Sequence, residues 1–186
     1  MPPNVPTPAT QRKAALAGRI QSNRHTAAHD GRVLHCPIAE ADQRLAYERL
    51  IDNRANENTV LDLRVPVVGR EIPFVYLKYR PVADRFSNTN HRVVLAAAEE
   101  IFSEEERARL RAFSLAMGLD LGELDVLRDT EDGRIYVVDV NASAWGPPQP
   151  LLAADAVRAV RAYAAALARL TERTVAALAQ QDRSQA

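Results

Sequence analysis

The chain has one cysteine, Cys36, so neither an intrachain disulfide nor a cysteine-rich zinc site is expected. Charge of one sign is also missing. Lys plus Arg is 24 and Asp plus Glu is 24, which cancel to a formal net charge of zero in 186 residues. General nucleic-acid binders carry a basic excess, so no nucleic-acid partner is expected. No apolar run approaches the roughly 20 residues of a membrane span, so no membrane partner is expected either. The seven glycines form neither G-x-x-x-x-G-K-[ST] nor G-x-G-x-x-G, which removes the P-loop and the dinucleotide fingerprint. With no apolar signal segment and a lone thiol, the expected setting is cytoplasmic.

What remains is the make-up of an ordinary domain, with 47% apolar and 26% charged residues. MPPNVPTPAT reads as an extended N-terminal arm, with a short helix from Gln11 to Gly18. Residues 1–18 are therefore set apart, and 19–150 are read as the main domain. Val33 to Ile38 reads as a strand, and Leu45 to Ile51 fits either a helix or a strand. Thr59 to Val68 alternates, with Leu61, Leu63 and Val65 on one face and Asp62 and Arg64 on the other. Ile72 to Arg80 reads as its returning strand, with Pro66 and Pro73 at exposed or edge positions. Val93 to Ala98 fits a short helix or strand.

Ser103 with Glu106 is a capping box, and predicts a helix to about Met117 with Leu110, Phe113 and Met117 as its apolar stripe. Gly122 to Arg128 and Arg134 to Asn141 form a second hairpin around DTEDG. In strict alternation Ile135, Val137, Asp139 and Asn141 share one face and Tyr136, Val138 and Val140 the other. The Ala-rich stretch 151–180 is a long helix, followed by a tail at 181–186.

Two groups carry candidate chemistry. Asp125, Asp139 and Asn141 offer two carboxylates and an amide oxygen from neighbouring strands, hard donors suited to Mg²⁺. The alternative for them is an exposed sheet face near a strand end. Lys78 and Arg80 share a face, and Arg85 and Arg92 follow, a set that suits a polyphosphate. The alternative for these is a solvated face making ion pairs, for instance with Asp62. Glu123 shares a face with Asp125 and is placed to pair with a basic residue. Asn88 and Asn90 contact substrate or cap turns. The dispersed His25, His29 and His35 lack zinc partners.

The stretch GLDLGELDVLRDTEDGRIYVVDVNASAWGPP resembles the closing part of the ATP-grasp family. In that family a strand aspartate and an acid-x-Asn signature hold Mg²⁺ around the ATP phosphates. The resemblance gives these roles to Asp125, Asp139 and Asn141. Asp139 stands where glutamate is commoner, and Ala142 to Gly146 replaces the usual Pro-Gly-like ending. AYERLIDN resembles the hinge strand at the adenine pocket, which puts Glu48, Leu50 and Asp52 near adenine and ribose. The hairpin LDLRVPVVGREIPFVYLKYR resembles the central strands, which makes Lys78 and Arg80, with Arg85, the catalytic candidates. Asp62, Lys78 and Asn88 join the nucleotide contacts.

The implied fold is α+β, an ATP-grasp-like antiparallel sheet packed by helices, with a long C-terminal helix. The lid subdomain is expected to be reduced or missing, with Gln21 or Arg24 where a lysine is usual. The implied activity is that of an ATP- and Mg²⁺-dependent ligase, with a carboxylate and an amine as small-molecule substrates. A noncatalytic binding protein, or a subunit needing a partner to complete its site, is the alternative, and the Ala-rich helix offers a face for a homodimer.

Overall fold

The computed structural model describes residues 20–23, 46–144 and 146–185. The N-terminal arm and its helix, the strand expected at Val33 to Ile38, Arg24, the three early histidines, Cys36 and Trp145 lie outside these residues. The chain divides into two compact units, Met1–Asp52 and Asn53–Ala186. This boundary falls inside the 19–150 span read above as one domain. In the first unit, β1 (Ile20–Asn23) and β2 (Ala46–Arg49) pair antiparallel, with Gln21 opposite Glu48.

The second unit is built on a six-stranded antiparallel sheet. Its strands are β3 (Arg54–Asn56), β4 (Thr59–Val68), β5 (Val75–Pro81), β6 (Arg92–Ala96), β7 (Leu121–Arg128) and β8 (Ile135–Asn141). The order is β6-β5-β4-β7-β8, and β3 pairs the start of β4, where β7 does not reach. The α+β architecture and the antiparallel sheet expected from the sequence are both present.

Period-two alternation gives the sheet two different faces. On one, Leu63, Val65, Leu77, Leu124 and Val126 are buried against Ala98 of α1 (Ala98–Ile101), Phe102, and Leu110 of α2 (Glu104–Ala116). Removing each such Leu or Val from water is worth about 2 kcal/mol. The Ser103 capping box forms as read: the Ser103 hydroxyl accepts from Glu106 N–H, and the Glu106 carboxylate accepts from Ser103 N–H at 3.0 Å. Met117, expected on the apolar stripe, is instead exposed at the helix C-cap, and the chain turns away at Gly118.

The other face is polar over β4, β5, β7 and β8, and apolar where α3 (Ala153–Gln185) crosses it. There Phe74, Tyr76 and Val93 pack with Leu151 and Ala159. The helix runs on past residue 180, through most of the stretch read as a tail. It is pinned to the β4–β5 turn in two ways. A Cβ on Gly69, whose φ is +60°, would stand 2.8 Å from Leu170. Glu71 in the same turn accepts from Arg169 at 2.6 Å and from Arg173 at 2.8 Å.

Hydrogen bonds from those two arginines hold the Glu71 carboxyl below its ordinary value. A depressed folded pKa means a contribution that is present above the unfolded value and lost as pH falls through the folded one. Glu71→Gln should therefore destabilise the protein by about 1 kcal/mol or less at pH 7. The gap between variant and wild type should close as pH falls below the ordinary 4.5, as urea unfolding at pH 7 and at acid pH would show. A gap that is unchanged in acid would contradict the pairing.

Two sequence expectations are corrected by register. Pro66 is buried, not exposed; it lies beyond the last β4–β5 pair, Arg64 with Tyr76, where no hydrogen bond to β5 is needed. The second concerns β8. Asp125 pairs with Asp139 but Val126 pairs with Val137, so Val138 is an extra residue in a bulge. The bulge reverses the alternation. Ile135, Val137 and Val140 therefore pack toward the helices on the core face, while Asp139 and Asn141 stand opposite Asp125 and Glu123 on the polar face.

Candidate functional site

The polar face is supplied strand by strand. Asp62 and Arg64 come from β4, Lys78 and Arg80 from β5, Glu123 and Asp125 from β7, and Asp139 and Asn141 from β8. Direct cross-strand pairing fixes their neighbours: Asp62 opposite Lys78, Arg64 opposite Asp125, Asp125 opposite Asp139, and Glu123 opposite Asn141. Gly122 permits the close approach of β8, because a Cβ there would collide with the carbonyl oxygen of Asn141.

Asp125 is the hub. Its two oxygens accept from Arg64 Nε and Nη2, each at 3.1 Å, a fork-to-fork pair. Lys78 Nζ donates to Oδ1 at 3.2 Å. Arg64 Nη1 is also 3.8 Å from buried Glu123. The side chains of Lys78 and Asp125 are only 7% and 18% exposed. Burial alone would raise the Asp125 carboxyl; the Arg64 hydrogen bond and the charges of Lys78 and Arg64 outweigh it, and the group sits below its ordinary value. Burial pulls Lys78 below its ordinary value, and the Asp125 charge only partly opposes this because Arg64 is also near. The two shifts differ in net effect because the carboxylate has two cations bonded to it, whereas the ammonium has one bonded carboxylate, the lesser charge of Glu123 and a cationic neighbour. Burial, reinforced by the Glu123 charge, pushes the Tyr76 hydroxyl up to about 12.

Beside this hub, Arg80 forms an ion pair with Asp62 and donates through Nη1 to the Ser87 carbonyl at 2.6 Å. Asp62 also accepts from Asn53 Nδ2 at 2.8 Å, and Asn53 Oδ1 accepts from Arg85 at 2.8 Å. A cavity of about 1020 Å³ opens over these strands. Arg64, Lys78, Arg80, Asp125, Asp139 and Asn141 line its sheet side. The loops 88–90 and 148–150 form its rim, tied together by the Asn90 side-chain amide donating to the Gln149 carbonyl at 3.0 Å. On its wall, Arg80 Nε and Asn90 Oδ1 are buried with no hydrogen-bond partner among the described residues.

The sequence-predicted residues fall into groups. Lys78, Arg80, Asn88, Asp125, Asp139 and Asn141 meet at the cavity. Asp62, expected as a nucleotide contact, has its carboxylate taken by Arg80 and Asn53, so it orients Arg80 instead. Arg85, expected among the catalytic cations, is directed to Asn53 and is not part of the cavity lining. Arg92 belongs to the opposite face, where it stacks 3.9 Å over the Tyr79 ring. Glu48 lies in β2, and Leu50 and Asp52 follow it in the first unit. Arg64 was missed as a site residue, although its period-two relation to Asp62 already placed it on the polar face.

The donor set fits Mg²⁺ in kind: Asp139 and Asn141 lie on the cavity side, next to an ionised Asp125. Asn141 Nδ2 donates to Asp139 at 2.9 Å, so the amide and the carboxylate are already side by side. No cluster of three or more His, Cys, Asp or Glu suited to a metal occurs among the described residues. A metal here would therefore rest on few protein ligands, and a hard ion would complete its shell with waters and ligand oxygens.

The fold and this cavity define an α+β protein with a cleft of mixed charge, cationic at the sheet centre and carboxylate-bearing toward the β8 edge. Among solved structures the chain is similar to the ATP-grasp ligase PsnB in its complex with a minimal precursor, at 19% identity and a TM-score of 0.49. The similarity covers 73% of this chain and 43% of that one, so the chain spans less than half of that protein's length. No protein-family model and no curated protein matches the chain. Among the described residues, no helix is long and apolar enough to cross a membrane.

Proposed function

We propose that this cavity binds a Mg²⁺–nucleoside triphosphate and that the chain acts as an ATP-dependent ligase-like enzyme. The observation that carries the reading is the convergence of Arg64, Lys78 and Arg80 on one cavity whose β8 side presents Asp139 and Asn141. Cations facing a carboxylate-held metal are the recurring arrangement for phosphoryl transfer. Lys78 is a point charge and Arg80 a buried fork; both are held by carboxylates behind them and need little reorganisation to meet a phosphate. Asp139 and Asn141, with Asp125 beside them, would hold the Mg²⁺, which supplies neutralisation of phosphate charge when bound. On this reading a substrate carboxylate takes the terminal phosphoryl group, ADP leaves, and an amine then displaces phosphate from the acyl phosphate.

A second reading, a noncatalytic nucleotide-binding protein, is favoured by one feature. Asp125 already neutralises Arg64 and Lys78, and Asp62 pairs with Arg80, so each cavity cation has a carboxylate of the fold beside it. Nucleotide binding with no ADP release across a panel of carboxylates and amines would select it.

The assignment of the metal is tested at the exposed Asp139, which makes no direct ion pair among the described residues. Asp139→Ala should leave the unfolding midpoint close to wild type and remove the Mg²⁺ dependence of nucleotide binding in calorimetry. Mg²⁺-dependent binding unchanged in Asp139→Ala would sink the assignment.

A further inference from the structure

Helix α3 has a second apolar face that the sheet does not use. Its packed side is Ala156, Ala159, Tyr163, Ala166 and Leu170. One residue on, about 100° around the helix, Val157, Val160, Ala164, Leu167, Thr171, Thr174 and Leu178 follow one another at alternating spacings of three and four. All are exposed, Leu167 at 38%, Leu178 at 56% and Val160 at 56%. Val175 flanks them at 59%, and an open apolar hollow of about 770 Å³ runs along Ala164, Leu167, Ala168, Thr171 and Val175. Spacings of three and four held over three repeats are the seam of a helix–helix pair, narrower than the stripe of a helix packed on a sheet. From Thr171 to Ser184 every residue is exposed, so beyond the Arg173–Glu71 pair the last turns of the helix bury no side chain against the sheet. An isolated helix of that length is marginal in water, and packing is what holds such segments.

The charges choose the occupant. Arg161 and Asp182 flank the seam, and neither has an ion-pair partner among the described residues. They lie toward opposite ends of the seam. If a second copy lies antiparallel, with Leu167 of each against Leu178 of the other, Thr171 meets Thr174 at the two-fold axis. Arg161 then comes within two residues, about 3 Å along the axis, of Asp182 in the second copy, and the contact occurs twice. In the same pairing the exposed end of each helix lies along the sheet-packed half of the other, so the seam is covered from Val160 onward. An in-register parallel pairing would instead leave Arg161 and Asp182 at opposite ends of the seam, where neither meets the other's charge.

We infer that the exposed seam of α3 is the interface of a two-fold antiparallel homodimer of this chain. Light scattering of the full chain should give about 41 kDa, twice the 20.5 kDa of one copy. Leu178→Asp should raise the dimer dissociation constant at least about 100-fold, because it places a charge in both ends of the seam. Arg161→Asp alone should weaken the dimer about tenfold, from two lost pairs and two like-charge contacts. The double variant Arg161→Asp with Asp182→Arg should return to near wild type. Circular dichroism checks that each variant keeps its helix. A wild-type mass of 20.5 kDa at all concentrations overturns the inference. So does a dimer indifferent to Leu178→Asp, or a folded double variant no tighter than Arg161→Asp alone.

Discussion

Asp125→Ala should destabilise the protein by about 3 kcal/mol or more, the cost of breaking a buried ion pair by removing one partner. The substitution leaves the Lys78 ammonium buried beside the Arg64 guanidinium, with the carboxylate that compensated both of them gone. Glu123 replaces it only in part: its charge also acts on Lys78, but it lies opposite Pro66, two pairs farther along β4. Asp125→Asn keeps the shape and one acceptor but loses the charge, so it should fall between alanine and wild type. Denaturant midpoints at neutral pH, without added divalent cation, measure both. A wild-type midpoint for Asp125→Ala would mean that the three charges are solvated independently and that the hub does not exist.

Lys78→Met should divide stability from binding in the opposite way. Methionine matches the unbranched lysine stem and removes a cation whose burial is costly; replacing a buried charge with an apolar group of similar volume is often neutral or better. Asp125 keeps its fork from Arg64, so no carboxylate is stranded. The folded protein should therefore keep its unfolding midpoint to within about 1 kcal/mol. Affinity for a Mg²⁺–nucleoside triphosphate should fall roughly 10- to 100-fold, the worth of one charge-assisted hydrogen bond to phosphate. If affinity is retained in a folded Lys78→Met protein, the lysine is structural and the cavity is not read correctly. If stability collapses instead, Lys78 is needed to neutralise Asp125, and Arg64 alone does not suffice.

The parts of the fold that were legible in the sequence are those set by short-range chemistry. The capping box needs only Ser103 and Glu106, three residues apart, and forms as read. Strand β4 spans the predicted Thr59–Val68, and the alternation that marks it is clean at its centre, from Leu61 to Val65. The polar set Lys78, Arg80, Asp125, Asp139 and Asn141 is legible because period two holds over short spans, from Lys78 to Arg80 and from Asp139 to Asn141.

The parts that were not legible depend on register between distant strands. Nothing local in IYVVDVN announces a bulge at Val138; only the pairing with β7 makes Val138 the extra residue, and that one residue puts Val137 and Asp139 on opposite faces. Arg64 meets Asp125 across 61 positions of sequence, so its role follows from β4 lying next to β7 and not from either segment. The partners of Asp62 and Arg85 are hidden for the same reason: Asn53, from the chain before β3, donates to Asp62 and accepts from Arg85. Arg92 was placed with the phosphate-facing cations on sequence order alone, and the pairing of β6 with β5 sets it over Tyr79.

The central claim is that the cations of β4 and β5 and the acids of β7 and β8 form one Mg²⁺–nucleotide site. The most direct test is a calorimetric titration of the full chain with an unhydrolysable ATP analogue, once with Mg²⁺ and once with the metal chelated. Saturable binding that appears with Mg²⁺ and disappears on chelation is the predicted result. No heat of binding at millimolar analogue with Mg²⁺ present, or equal binding with and without the metal, would contradict it.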